Sequence, residues 1–470
     1  MGNIRPNKLL FVLAFLATHP LLAAEWAAEV GASAIHTSNI QRTPFGESTA
    51  LSMIDGTGQY LTRRRTALVD LELAAQRRDY FGGDFDGETV AQARLDAEWS
   101  PVPERFKWIL RDNLGQVALS PSASLLPGDR ETVNVATTGP SLAWPIGAKM
   151  NLGLEALYSD VNYEDANFDN TRNLGRLVVD YAFSRNQTVY LAGTVSRTKY
   201  QDSTLPSYDL QGAYFGFDGV ARRSNILVEV GSERLKFQGQ NRTGAYVDFN
   251  LDRHVARRIS LSARIVSRYA NSADIFALDQ DLIPTLGGVS NVTLTGEPIR
   301  QKRASIGLIW TGRRTEVGTA LLWNTESVTS LALPDRDIYG LNISLEHKFS
   351  SRTTFVGNAY LLREKRTTLV SESQDDFALL LGVNSRITAK LSVQGQFEQF
   401  KRSNSPGDYT ESRFLIGIRY APRPLREGLP SFAERQFRRR VGAPQDQFDR
   451  DGSQPDDTPA IPQPSRPPTP

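Results

Sequence analysis

Chemistry needs nucleophiles, bases, ligating oxygens or fixed charges at workable spacing, and this sequence offers few such sets. His36 and Ser38 stand at i and i+2, so a strand would put them on one face, with Asn39 beside them. A nucleophile, a base and an orienting group form the logic of serine hydrolysis. No third residue can be assigned to this pair, and Ser, His and Asn are ordinary loop residues. His254 falls in a turn beside Asp252, and His347 at a strand end; both read as solvated side chains rather than ligands. Two segments, Asp84-Phe85-Asp86-Gly87-Glu88 and Asp165-Ala166-Asn167-Phe168-Asp169, alternate the oxygen-bearing residues that calcium prefers, and neither completes a calcium loop. The chain has no cysteine, which excludes thiol catalysis and Cys-based metal sites. There is no Gly-rich phosphate loop and no metalloprotease or kinase motif. No catalytic residue, metal or cofactor is expected.

The remaining chemistry is fixed charge. Asp70, Glu72, Arg94, Asp96, Glu98, Arg176, Asp180, Asp248, Arg264, Arg268, Glu346 and Glu398 all fall on the polar side of segments that alternate polar and apolar residues. Two readings stay open. The set can line a hydrophilic path that sorts solutes by charge and hydrogen bonding. It can equally form cross-strand ion pairs that fill and stiffen an interior.

The elements that must position these charges have a period of two. Ala91, Ala93, Leu95, Ala97 and Trp99 share one face, and Gln92, Arg94, Asp96 and Glu98 the other. Val247, Phe249 and Leu251 alternate with Asp248, Asn250 and Asp252; Ile259, Leu261, Ala263 and Ile265 with Ser260, Ser262 and Arg264. Tyr339, Leu341, Ile343 and Leu345 repeat the pattern, as do Phe414, Ile416, Ile418 and Tyr420. Successive side chains of a strand point to opposite faces, so each segment has one greasy face and one charged face. Runs of roughly 8 to 14 residues are long enough to cross a bilayer when tilted. Trp99, Trp310, Trp323, Tyr181, Phe183, Phe349 and Tyr420 sit near strand ends in the greasy phase, where interfacial girdles need them.

Connections alternate between two kinds. Nine are short and often carry arginine: 62–65, 101–105, 144–148, 184–187, 219–225, 252–257, 311–315, 350–352 and 384–388. The others are longer and rich in Asp, Asn, Gly, Ser and Pro, the longest being 271–300. Short turns on one side and long loops on the other mark an outer-membrane barrel. The expected fold is therefore all-β: a transmembrane antiparallel up-and-down β-barrel of about 18–20 strands. The 271–300 loop has two open placements, covering the outer mouth or folding inward as a constriction. In the second, Asp274, Asp279 and Asp281 would meet Arg264 and Arg268.

The ends read differently. Residues 1–24 carry Arg5 and Lys8, a short apolar run and the small residues Ala23 and Ala24, the order of a secretory signal peptide. The barrel is expected over 25–421. Residues 422–470 hold eleven of the chain's 25 prolines and are expected to form a disordered tail in the periplasm. With 54 basic and 52 acidic residues interspersed, no nucleic-acid partner is expected. Mean hydropathy is −0.35, a value a soluble all-β protein such as a propeller would also show. Alternation explains it equally, because lumen-facing polar residues cancel lipid-facing apolar ones.

Several segments carry a family resemblance: His36-Thr37-Ser38-Asn39-Ile40; "DLELAAQRRDY" within 65–80; "WILRDNLGQV" and "PGDRETVNVATTGP" within 108–139; and the closing "YTESRFLIGIRY". In these the chain resembles the β-barrel porin family found with exopolysaccharide and exosortase (PEP-CTERM) systems of Proteobacteria. The resemblance implies an outer-membrane barrel in contact with lipid. It also implies a role in polysaccharide synthesis or export, with polysaccharide and periplasmic export components as partners. One departure stands out: many such barrels end on an aromatic residue, whereas fifty residues follow Tyr420 here. A lipid- or polysaccharide-directed enzyme built on His36 and Ser38, and a non-conducting structural barrel, are the alternative readings.

Overall fold

The computed structural model describes residues 25–82, 85–118, 130–279, 295–328, 335–367, 372–404 and 407–423. Strands β1 (Glu25–Thr37), β2 (Thr49–Arg64), β3 (Ala67–Phe81), β4 (Glu88–Val102) and β5 (Phe106–Ala118) form the first quarter of the wall. They are followed by β6 (Arg130–Ile146), β7 (Met150–Tyr163), β8 (Asn170–Ser184), β9 (Gln187–Tyr200) and β10 (Tyr208–Ala221). Next come β11 (Ser224–Phe237), β12 (Gln240–Ala256), β13 (Ile259–Ala270), a short helix α1 (Ser272–Asp279), β14 (Ile299–Thr311) and β15 (Thr315–Val328). Strands β16 (Asp335–Lys348), β17 (Thr353–Thr367), β18 (Glu372–Arg386), β19 (Leu391–Asn404) and β20 (Tyr409–Arg423) complete it. Each strand pairs antiparallel with the next, and β20 closes on β1 through Val30 opposite Tyr420 and Thr37 opposite Arg413. The result is a closed barrel of twenty strands, the upper end of the range expected from the turns.

Closure removes every sheet edge, so each strand's backbone groups find partners within the wall. The outer face takes the apolar phase. Ile416 is 74% exposed, and Val30, Ile343 and Leu321 are exposed beside it in phase. Only a lipid environment makes such a belt favourable, and the architecture is that of a membrane-spanning barrel. Large aromatics gather near the short turns, with Trp26 opposite Tyr60 and Trp99 opposite Trp108. Phe183 stacks on Phe217 at 6.3 Å. Trp323 opposite Tyr339 stands closer to the other rim. Phe349 lies in the turn after β16 and packs edge-on against Phe355.

Three expectations need adjustment. The strands run 12 to 17 residues, longer than the alternation suggested. Their far ends rise above the apolar belt, where outward residues turn polar and the contrast between faces fades. Not every connection on the long-loop rim is long: Gln238 and Gly239 alone join β11 to β12. Both adopt left-handed φ values, 49° and 76°, which match the twist of a two-residue hairpin. The closing strand runs to Arg423 rather than 421, and the signal segment and the tail beyond 423 lie outside the described residues.

Candidate functional site in the barrel lumen

The inner wall has two storeys. Toward the long loops it is dry and built from ion pairs. Arg402 makes a bidentate contact with Asp376, at 2.6 and 2.7 Å. Arg336 lies between Glu326 at 3.6 Å and Glu364 at 3.0 Å. Arg413 joins Glu398 at 3.0 Å and Glu411 at 2.8 Å. Glu411 also accepts from Thr37 Oγ1 and from Arg42 Nε, which reaches in from the first loop. Burial opposes the Arg42 charge, but the Glu411 carboxylate outweighs it and holds the guanidinium above its ordinary pKa. Arg78 and Tyr80 both donate to Glu88, at 3.0 and 2.9 Å. Charges this deeply buried are tolerable only when paired and hydrogen-bonded.

Toward the short turns the wall is wetter. Arg94 meets Asp96 at 2.9 Å and Lys107 meets Glu98 at 3.2 Å, all partly exposed. Arg419 bridges Glu29 at 2.8 Å and Asp55 at 3.6 Å. Such pairs stay hydrated and can exchange partners with a solute.

The register places each of the twelve charged residues singled out in the sequence on the phase opposite the lipid belt. Asp70 and Glu72 stand across from Asp96 and Arg94. Arg176 donates to Glu229 at 2.8 Å, and Asp180 accepts from Asn151 at 3.1 Å. Asp248 pairs across with Glu229, and Arg264 across with Asn250. Arg268 reaches Gln301 at 3.5 Å, Glu346 reaches Lys348 at 3.6 Å, and Glu398 holds Arg413. These residues do not converge on one point; they ring the wall at several depths.

Sequence reasoning missed two features. One is an aromatic clasp on β9–β12. Tyr190 and Tyr246 donate to the two oxygens of Glu229, at 2.8 and 2.9 Å, and Arg176 adds a third bond. The Tyr190 ring rests on Gly216, where a Cβ would fall 2.1 Å from its Cζ. Tyr214 and Tyr246 lie ring to ring at 4.0 Å. Glycines at 212, 216 and 231, interleaved with the tyrosines, were the available signal.

The second is helix α1. The helix after β13 folds inward. Ala273 and Phe276 are buried with Val117, Val133, Val135, Val161 and Tyr163 on the inner phase of β5–β7, six to eight strands from where α1 begins. That contact crosses the barrel interior. Phe276 lies against Gly115, where a Cβ would stand 3.1 Å from its Cζ. Ile275 packs back on Ala270 and Ile299. Ser272 Oγ donates to the Thr295 carbonyl and accepts from its N–H, at 3.1 and 2.9 Å, clasping the base of the loop. The described anchors of α1 are apolar. Asp281 and the side chains of Asp274 and Asp279 lie outside what is described.

The remaining sets separate. His36 is exposed in the lipid-facing phase, opposite Phe414, while Ser38 Oγ accepts from the Ser412 N–H at 2.8 Å. His254 lies within β12 rather than in a turn, its Nδ1 2.9 Å from Ser260 Oγ; His347 Nδ1 is 2.8 Å from Thr315 Oγ1. Asp84 lies outside the described residues, and Glu88 is committed to Arg78. Asp169 accepts from the Tyr163 N–H, and the Asp165 N–H donates to Glu131. Among the described residues no group of three or more His, Asp or Glu could hold a metal ion.

No family model and no curated protein matches the chain. Solved structures similar to it include the siderophore receptor PirA from Pseudomonas aeruginosa, with 9% identity, 86% of this chain and 81% of that chain covered, and a TM-score of 0.42. A double mutant of the ferric enterobactin receptor PfeA from the same organism gives 9%, 84%, 80% and 0.44. The ferric yersiniabactin uptake receptor FyuA from Yersinia pestis gives 9%, 85%, 80% and 0.39. Likeness at this level assigns neither ligand nor partner.

Proposed function

We propose that the barrel sits in the outer membrane with its nine short turns and its tail in the periplasm, and that it passes hydrophilic solute in support of exopolysaccharide biosynthesis or export. The observation that carries this reading is α1 reaching across the interior to an apolar patch on an otherwise polar inner wall. Side chains of a fully packed structural barrel would fill the lumen without an added segment. Barrels of sixteen to eighteen strands already leave an aqueous channel, so about twenty strands need something to close them. Below the helix, partly exposed ion pairs and tyrosine rings beside Arg176 and Glu229 suit a polyhydroxylated solute, which needs hydrogen bonds weak enough to release. The resemblance to exopolysaccharide-associated porins points the same way.

The test has two arms. Single-channel current is recorded for the intact barrel and for one lacking 272–298, and secreted polysaccharide is measured in a deletion strain. The expected outcome is low conductance for the intact protein, a stable increase on removing the loop, and reduced secretion. No current from either protein together with unchanged secretion sinks the reading. A non-conducting structural barrel would then remain, which the buried ion pairs of the upper storey favour.

A further inference from the structure

The outer wall carries an uneven charge. Arg197 and Lys199 on β9, Arg234 and Lys236 on β11, and Lys302 on β14 are exposed and share the phase of the lipid belt. They stand near the long-loop ends of their strands. Asp209, 3.6 Å from Arg197, is the single carboxylate that pairs with any of them among the described residues. Other arginines on this rim are neutralised, as in the Arg363–Asp375 pair at 2.6 Å and the Arg77–Asp79 pair at 2.7 Å. Below the cations lie the exposed apolar side chains Val195, Phe215 and Val230.

Beside them a groove of about 600 Å³ runs down the outer wall across β6–β10. Pro140, Ala156 and Gly175 make its floor shallow in side chain, and Trp108 and Tyr158 border it. Its upper edge is Arg197, Asp209 and Gln211, and the register sets Gln211 opposite Arg234 and Asp209 opposite Lys236. The groove therefore opens at the cationic arc. Trp108 lies near the short turns and Arg197 near the long loops, so its length follows the apolar belt.

We propose that this face binds a phosphorylated, acylated lipid of the long-loop-side leaflet, with an acyl chain in the groove and its phosphates on Arg197, Arg234, Lys236 and Lys302. An acyl chain is the solute a trough on a lipid-facing wall admits without desolvation. Arg234, Lys236 and Lys302, which no carboxylate among the described residues neutralises, are left to pair with phosphate oxygens, and Arg197 is shared with Asp209. The assignment is independent of whether the lumen conducts, because none of these residues faces it.

Full-length protein in zwitterionic nanodiscs is titrated with lipid A and, separately, with inorganic phosphate, following bound lipid by native mass spectrometry. The variants are R234Q/K236Q/K302Q, and A156F/G175L to fill the groove; heat-modifiable mobility on cold gels shows that each has folded. The charge variant is expected to weaken lipid A binding by about a hundredfold, since each interfacial Lys or Arg contributes roughly fivefold. The groove variant should weaken it with the cations intact, and inorganic phosphate should not compete. Equal affinity in wild type and charge variant overturns the proposal. So does full competition by inorganic phosphate, which marks a free-anion site, or a dimer that buries the arc and binds no lipid.

Discussion

At the scale of single residues, what matters is which face a side chain takes and whether its charge finds a partner. The buried Arg402–Asp376 pair sets a clear case. Asp376→Asn leaves a guanidinium in a dry wall, and removing one partner of such a pair costs about 3–5 kcal/mol. Urea unfolding of the detergent-folded barrel should show that loss, and D376L/R402M should recover much of it. A D376N barrel as stable as wild type would mean the upper wall is hydrated. Phase gives a second case. Ile416, at the middle of β20 and opposite the small residues Ala34 and Gly395, projects into the belt. Ile416→Arg should cost about 2–4 kcal/mol near the midplane, and Gln394→Arg on the inner phase far less; equal losses would reverse the assigned faces. These faces were legible in the sequence because alternation is a local property. Depth and pairing were not: Thr37 bonds Glu411 across 374 residues, and nothing local announces that meeting. Leu95 shows the same limit. Its outward phase was readable, but its burial against Val69 and Ala97, with Tyr60, Leu71 and Leu110 packed around them, depends on three other strands.

At the scale of elements, turns were legible and inserted structure was not. The nine short turns, eight of them with an arginine, stand out because short breaks between period-two runs have little else to be. Helix α1 was hidden because eight residues are too few for a helical period to show. The signal it left was the apolar run Ile275-Phe276-Ala277-Leu278 inside a long loop, apolar side chains that an exposed cover would not require. Its seat is equally specific. Gly115 leaves room for the Phe276 ring, and a larger residue there occupies the same space. Gly115→Leu should therefore release α1 from β5–β7 while leaving the barrel folded. Cleavage by an added protease within 272–298, mapped by mass spectrometry, should rise sharply in that variant. Unchanged cleavage, with folding confirmed on cold gels, would show that the Phe276 contact does not hold the segment.

For the whole molecule, stability comes from closure. A barrel lacking its last strand exposes two edges at once, on β1 and β19, and strands the carboxylate and guanidinium groups that β20 satisfies. Arg413 and Glu411 serve Glu398, Arg42 and Thr37 on three neighbouring segments, and Arg419 serves Glu29 and Asp55. The strand therefore closes a ladder and neutralises the seam between the chain's two ends. Among the described residues the ladder runs to Arg423, opposite Ala28. Truncation after Arg423 should leave insertion and heat-modifiable migration unchanged, whereas truncation after Asp408 should abolish both. The outcome also decides where assembly is directed. The aromatic that would end a typical barrel strand is Tyr420, opposite Leu391 and Val30, and it lies inside the chain. If the chain cut after Arg423 still inserts, the recognised signal is internal and the last 47 residues are free for another task. If it fails while refolding normally in detergent, the tail carries the signal, and closure alone does not bring the barrel into its membrane.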